Sequence, residues 1–497
     1  MITLRSRMRT LSSQSLVYGL SGALTKIVGL VIVPILLRIF TPADYAVLDL
    51  VTAFTTIIGG VLLLGADSAV AYYFYRQATE ENKRTLLSTW MYFQFVLNSV
   101  AGLALFLLAE PLAQMVIGPA AHGKIYLQLT AVVFPLSSSF AFGLEVLRLE
   151  MRPRRYLLLS AIQVVIGFVL TLLIVVALHK GLTGVYVTSA LTNVAAFLVT
   201  IWAVGGRLLP RFSTHHLRSI LSFGVPLVPI SLASWAIAQS SRFFIKAHAG
   251  NADVGLYSAG NKVAQIMLLV VTAFGLAWAP FAYSIADEPD AKRTYARVLT
   301  YYVAVLGWLA LALSLFAPLV LEVGKPAYLR GYQVVPFLAM SYLVNGAYYI
   351  VAMGTNLSKK TIHLSWITIL AGIVTLAVNT AVLPVPYLSL IGAAFATLCG
   401  NLVLIILVYW MSQRLYHIPY NLPRVLTAVA CLTLLVVVGQ IARGYLQPTS
   451  PTGLLARAVL VALYPALLVG LRVIERHELA TLHGAVVVQL RRARGRV

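Results

Sequence analysis

Long apolar runs follow one another along almost the whole of this chain, separated by short polar connections. They lie near residues 15–40, 46–73, 86–108, 125–147, 156–178, 182–204 and 220–245, then near 254–285, 298–321, 334–357, 364–383, 388–411, 425–441 and 454–473. Crossing about 30 Å of hydrocarbon takes roughly 20 residues of helix. In lipid a spanning segment must satisfy its own backbone amides, which a helix does within one run. The expected fold is therefore an all-α integral membrane protein of about 14 transmembrane helices. Whether the short run 425–441 makes a full span is left open by its length. Charged residues form 10% of the 497, against about a quarter in soluble domains, so no soluble domain of any size is expected. The first ten residues lead into an apolar run too long for a signal-peptide core, and no cleaved signal is expected. Prolines inside runs, such as Pro34, Pro226, Pro229, Pro280 and Pro336, are tolerated where neighbours satisfy the freed carbonyls.

Loop charge sets the expected orientation. Alternating the spans from a cytoplasmic N-terminus puts most of the 37 lysines and arginines on the cytoplasmic side, as the positive-inside rule requires. That side holds the clusters Arg152, Arg154, Arg155 and Arg207, Arg211, Arg218. The opposite side receives Arg38, Lys124, Lys180, Lys246, Lys325, Arg330, Arg443 and Arg457. Both termini are then cytoplasmic, in a multi-pass protein of the cytoplasmic (inner) membrane. Three cations fall inside spans: Lys26, Arg242 and Lys262. The net charge of +22 is spread through short loops beside headgroups, so nucleic acid is not an expected partner. Cys399 and Cys431 sit in apolar runs and read as core thiols.

The chain carries a trace of duplication. ADYAVL at 43–48 and ADVGLY at 252–257 stand 209 residues apart, each at the start of the second span of a hairpin. The implied units are a cytoplasmic segment 1–14, an N-lobe of six helices at 15–208 and a C-lobe of six helices at 215–413. Two further helices at 424–475 and a basic cytoplasmic tail at 476–497 complete the chain. Parallel repeats of this kind place a substrate path between the halves near the midplane.

Three segments carry a resemblance: SLVYGLSGALTKIVGLVIVPILLRIFTPADYAVLDL at 15–50, SRFFIKAHAGNADVGLYSAGNKVAQIM at 241–267 and AWAPFAYS at 277–284. With the six-plus-six-plus-two plan, they resemble the polysaccharide (O-antigen type, Wzx-like) flippases of the multidrug/oligosaccharidyl-lipid/polysaccharide exporter superfamily. The resemblance implies two lobes around a central V-shaped cavity, with the last two helices at the periphery. It implies a flippase moving a polyprenyl-diphosphate-linked oligosaccharide across the cytoplasmic membrane for polysaccharide biosynthesis. Partners would be that lipid-linked oligosaccharide, membrane lipids, a polysaccharide polymerase and glycosyltransferases. No cofactor is expected, although coupling to an ion gradient, the ion unknown, fits such transport.

A charge at the bilayer centre costs about 2.5–3.5 kcal/mol on insertion scales, so Lys26, Lys262 and Arg242 should not face lipid. Lys26 shares a helical stripe with Gly19, Gly22 and Gly29, which suits either close packing or a lined cavity. Lys262 shares one with Gly255, Ser258 and Gln265. The three cations are the expected diphosphate-binding residues, with Asp67 as a charge partner. Glu145 lies three residues before Arg148, as in a local ion pair, and Asp49 sits toward the outer end of its helix. No catalytic residue or metal site is expected: there is no GxxxxGK[ST] string, no HExxH and no Cys/His cluster. Two alternatives share the fold. An ion-coupled multidrug exporter would need a carboxylate-lined cavity, and a peptidoglycan-precursor lipid flippase would share the anionic substrate.

Overall fold

The computed structural model describes residues 22, 24, 26–29 and 31–474, apart from 120, 121, 361, 386, 387, 444 and 446–449. The expected terminal segments 1–14 and 476–497 lie outside the described residues. Among the described residues every regular element is helical.

Helix α1 occupies residues 31–39, with 22, 24 and 26–29 on its earlier turns. The first half continues with α2 (Pro42–Leu62), α3 (Ala66–Phe74), α4 (Glu80–Leu107), α5 (Ala109–Val116), α6 (Gly123–Leu149), α7 (Pro153–Leu170) and α8 (Gly181–Val204). The second half holds α9 (Thr214–Gly224), α10 (Val228–Gln239), α11 (Ser241–Ala249), α12 (Asn251–Ala264), α13 (Ile266–Ser284) and α14 (Ala291–Glu322). It closes with α15 (Val335–Val351), α16 (Met353–Leu357), α17 (Ile362–Val382) and α18 (Ser389–Leu415), followed by α19 (Leu422–Ala442) and α20 (Pro451–Gly470). Among the described residues thirteen helices or stacks of consecutive helices are long and apolar enough to span a membrane, and α1 comes in addition to them. The protein is a multi-pass membrane protein. The run left open at 425–441 is the 21-residue α19, which at 1.5 Å per residue reaches about 30 Å.

Local chemistry fixes where the central helices begin and break. Thr41 caps α2 in a capping box with Asp44, with Pro42 at the first position. The seventh expected span is three helices, because Pro226 and Pro229 remove backbone donors around the 3-10 turn Val225–Leu227. The eighth is α12 plus α13, broken at Gln265. α2 begins one residue before Ala43 and α12 one residue before Ala252, so the two related strings open equivalent helices. These two helices press together. A Cβ on Gly255 would lie 1.8 Å from the Pro42 carbonyl oxygen, so only glycine permits the approach.

The buried apolar side chains divide unevenly. At the face where α1 ends and α2 begins, one core runs through both halves, from Leu37, Leu50 and Leu127 to Val254, Leu321 and Tyr328. Toward the opposite, arginine-rich face the first half has its own core, built on Ala66, Trp90, Phe142 and Leu147, which α9 joins through Ile220. Apart from α9, which packs on the first half, the halves are thus fused at one face and cored separately at the other. α19 and α20 pack on α14, outside the seam between the halves.

Candidate functional site

The seam between the halves is where the span cations fall. Arg242, on α11, is 2% exposed, and its Nε binds Oδ2 of Asp49 on α2. Its Nη1 donates to the Ala238 carbonyl at 2.9 Å, and the guanidinium stands 5.6 Å from the centre of the Tyr257 ring. Ser258 Oγ on α12 donates to the same Asp49 oxygen. Asp49 and Ser258 are separated by the 209-residue offset of the two related strings. One turn beyond Ser258, Lys262 lies within electrostatic reach of both Asp49 and Arg242. Among the described residues its ammonium has neither a hydrogen bond nor an ion pair. Beside it Asn261 accepts a 2.7 Å hydrogen bond from Tyr342 of α15.

Lys26 spans the seam from the other side. Its Nζ donates to the Leu268 carbonyl at 3.2 Å and to Thr272 Oγ1, both on α13. Its partners are neutral oxygens. Of the glycines on its stripe, Gly19 lies outside the described residues, and a Cβ on Gly22 or Gly29 would meet no described atom within 4 Å, so those two are not a packing device. A second donor crosses in the reverse sense, since Trp235 Nε1 on α10 donates to the Ala53 carbonyl of α2 at 2.8 Å. Trp235 stands 209 residues after Lys26, and Lys262 stands 209 after Ala53.

The structure thus gathers Arg242 and Lys262 around one carboxylate and puts Lys26 on the same seam. It does not bring Asp67 to them. Asp67 opens α3 at the arginine-rich end, where its charged neighbours are Arg148 and Glu145. Glu145 there pairs with Arg148 at 2.5 Å. The expectation of Asp67 as a charge partner to these cations is corrected, because the helix break at Leu63–Gly65 carries it to the arginine-rich end, beside Arg148 and Glu145. The carboxylate that meets Arg242 is Asp49. Its position eight residues into α2 is about 11 Å from the helix start, deeper than an interfacial placement. The offset that relates the two strings assigns Asp49 to Ser258 and was the signal for it.

Away from Asp49, the seam is closed at the fused face by side chains that reach backbone carbonyls. Arg38 Nε donates to the Val323 carbonyl at 2.8 Å, and Lys325 Nζ to that of Ile39 at 2.9 Å. Tyr328 donates to the Phe40 carbonyl at 3.1 Å, and Asn251 to that of Ile117 at 2.9 Å. Among the described residues no group of three or more His, Cys, Asp or Glu side chains could hold a metal ion.

The family model for polysaccharide biosynthesis proteins matches residues 35–323. The succinoglycan biosynthesis transport protein ExoT of Rhizobium meliloti (strain 1021) is 27% identical over 323 residues, 63% of this chain. The match spans 62% of that relative's length. Among solved structures, the lipid II flippase MurJ in an inward closed conformation superposes with a TM-score of 0.68 at 13% identity, covering 91% of this chain and 98% of the other. An inward-facing multidrug resistance transporter of the MATE family gives 0.60 at 15% identity, and an outward-facing one 0.54 at 14%. Each of these covers 82% of this chain, and 97% and 95% of its own. At such identities the likeness is one of fold.

Proposed function

For a chain that belongs to the polysaccharide biosynthesis protein family, we propose transport of a polyprenyl-diphosphate-linked oligosaccharide across the cytoplasmic membrane. The observation that carries this reading is the charge of the seam. Arg242 and Lys262 meet there around one carboxylate, Asp49, which is bonded to Arg242, and Lys26 reaches the same seam at α13. Two ammonium groups are left to neutral oxygens or to nothing among the described residues. In a low-dielectric interior an uncompensated cation is costly, and an anionic ligand removes that cost. A diphosphate supplies the needed charge, and the polyprenyl tail stays in lipid while the polar head passes between the halves.

The fused and separated cores support a direction. Loading would occur where the halves are cored apart, at the arginine-rich face, which the positive-inside rule makes cytoplasmic. Release would require opening the carbonyl-latched face, by rocking one half against the other. The better superposition on the inward-facing than on the outward-facing neighbour agrees with this state. A carrier of small cations, as in the MATE neighbours' multidrug role, is disfavoured by the excess of positive charge at the same place. A peptidoglycan-precursor carrier shares the anionic headgroup, and restoration of growth in cells depleted of their own precursor flippase would favour it.

Polysaccharide export by cells carrying this chain tests the reading. Lys26→Ala and Lys262→Ala are expected to abolish export at unchanged membrane abundance, and Lys→Arg at either position to retain part of it. Normal export by both alanine variants would remove the anion-carrying role of the seam.

A further inference from the structure

A second cationic site lies outside the seam, where Arg443, just past the end of α19, reaches Tyr332 of the 3-10 segment Pro326–Val334 at the fused face. Arg457 is 6% exposed and lies on the packed stripe of α20, in line with Gly453, Tyr464 and Leu468. A membrane arginine ordinarily keeps its head in water while its stem lies along the helix. This one is turned inward, at a position that elsewhere on the stripe carries an apolar or small residue. Arg443, just past the end of α19, lies with its guanidinium 3.1 Å from the centre of the Tyr332 ring. Stacking on Tyr332 fixes the plane of the guanidinium. Its Nη1 is nevertheless buried and has no hydrogen-bond partner among the described residues. Among the described residues the titratable groups within its electrostatic reach are the Tyr332 phenol and the Arg457 guanidinium, a second positive charge.

Two guanidinium groups within electrostatic reach of each other, the Arg443 one with a buried donor idle among the described residues, offer a fork for a tetrahedral oxyanion. The surroundings say what carries the anion. Ile441, Leu455 and Val459 stand exposed on the same two helices within about a turn of the arginines, on a lipid-facing surface. Tyr445 beside them is also exposed, as interfacial aromatics are. A ligand at this place meets positive charge at its head and acyl chains at its tail. We propose that Arg443 and Arg457 bind the phosphate of an anionic phospholipid at the fused face. The bound lipid would tie the two peripheral helices to the 326–334 segment, which itself latches the seam through Lys325 and Tyr328.

The test is saturable thermal stabilisation of the purified full chain in detergent by dioctanoyl phosphatidylglycerol, with dioctanoyl phosphatidylcholine and inorganic phosphate as comparators. Half-saturation by the glycerol lipid is expected to weaken about tenfold in Arg443→Gln. Arg443→Lys and Arg457→Lys keep the charge but lose the fork, and are expected to weaken it several-fold while folding normally. Arg414→Gln removes an arginine that stacks on Trp410 away from this site, and is expected to bind as the unaltered chain does. Unchanged half-saturation in the lysine variants overturns the proposal, as does an equal loss in Arg414→Gln. Equal stabilisation by inorganic phosphate overturns the assignment to a lipid.

Discussion

Replacing Asp49 with Asn keeps the shape of the side chain and removes the charge that Arg242 needs. Arg242 is almost fully buried and has no second carboxylate at its guanidinium among the described residues. Removing one partner of a buried ion pair typically costs about 3–5 kcal/mol, because the other charge stays in the interior uncompensated. The pair joins α2 to α11, and Ser258 joins the same oxygen to α12, so that cost falls on the arrangement in which the halves are fused. At 1.4 kcal/mol per decade, a loss of about 3 kcal/mol shifts the balance between fused and separated arrangements by about 100-fold. Spin labels on cysteines replacing Lys124 and Glu322, both exposed near the fused face, report the separation of the halves there. Asp49→Asn is expected to lower the melting temperature and to lengthen or broaden that distance. Asp49→Asn with Arg242→Gln removes both charges and is expected to recover a large part of the loss, giving a coupling energy well above 1 kcal/mol. An unchanged distance distribution in Asp49→Asn, or additive single and double variants, would refute the idea that this pair holds the halves together.

Gly255→Ala puts a methyl group into the Pro42 carbonyl, so it is expected to force α2 and α12 apart and to lengthen the same label distance; an unchanged distance would mean the helices yield without parting. Asp67→Asn is expected to leave export intact, since Asp67 faces Arg148 and Glu145, and abolished export at normal abundance would restore it to the transport path. Single cysteines placed in the 76–84 and 152–155 loops are expected to react with membrane-impermeant maleimide only after the cytoplasmic side is opened. Labelling of either in intact cells would invert the orientation.

The number of spans and their approximate limits were legible because a run of some 20 apolar residues leaves little choice of structure in lipid. The breaks were less so. Pro226 and Pro229 marked the interruption of the seventh span, but nothing in the local sequence ends a helix at Gln265. Lys26, Arg242 and Lys262 were readable as functional candidates from the cost of placing charge in lipid. What they touch was not. Helical stripes give neighbours on one helix, whereas the contacts that Lys26, Arg242 and Ser258 make across the seam join residues more than 190 apart.

Asp49 shows why. Read along its own helix, it follows a capping box by a few residues and passes for a charge near the membrane surface. Read across the offset of 209 residues, it faces Ser258, and α11 delivers Arg242 to the same oxygen. That assignment changes the meaning of the remaining charges. With Asp49 bonded to Arg242, the guanidinium is a structural tie between the halves, and it contributes less to a mobile anion than its depth suggests. Among the described residues Lys26 and Lys262 have no ion-pair partner, one reaching across to α13 and the other beside the tie. An anion drawn to both would bridge α1 and α12, two helices from opposite halves. Its arrival would bias the same equilibrium that the Asp49–Arg242 pair sets.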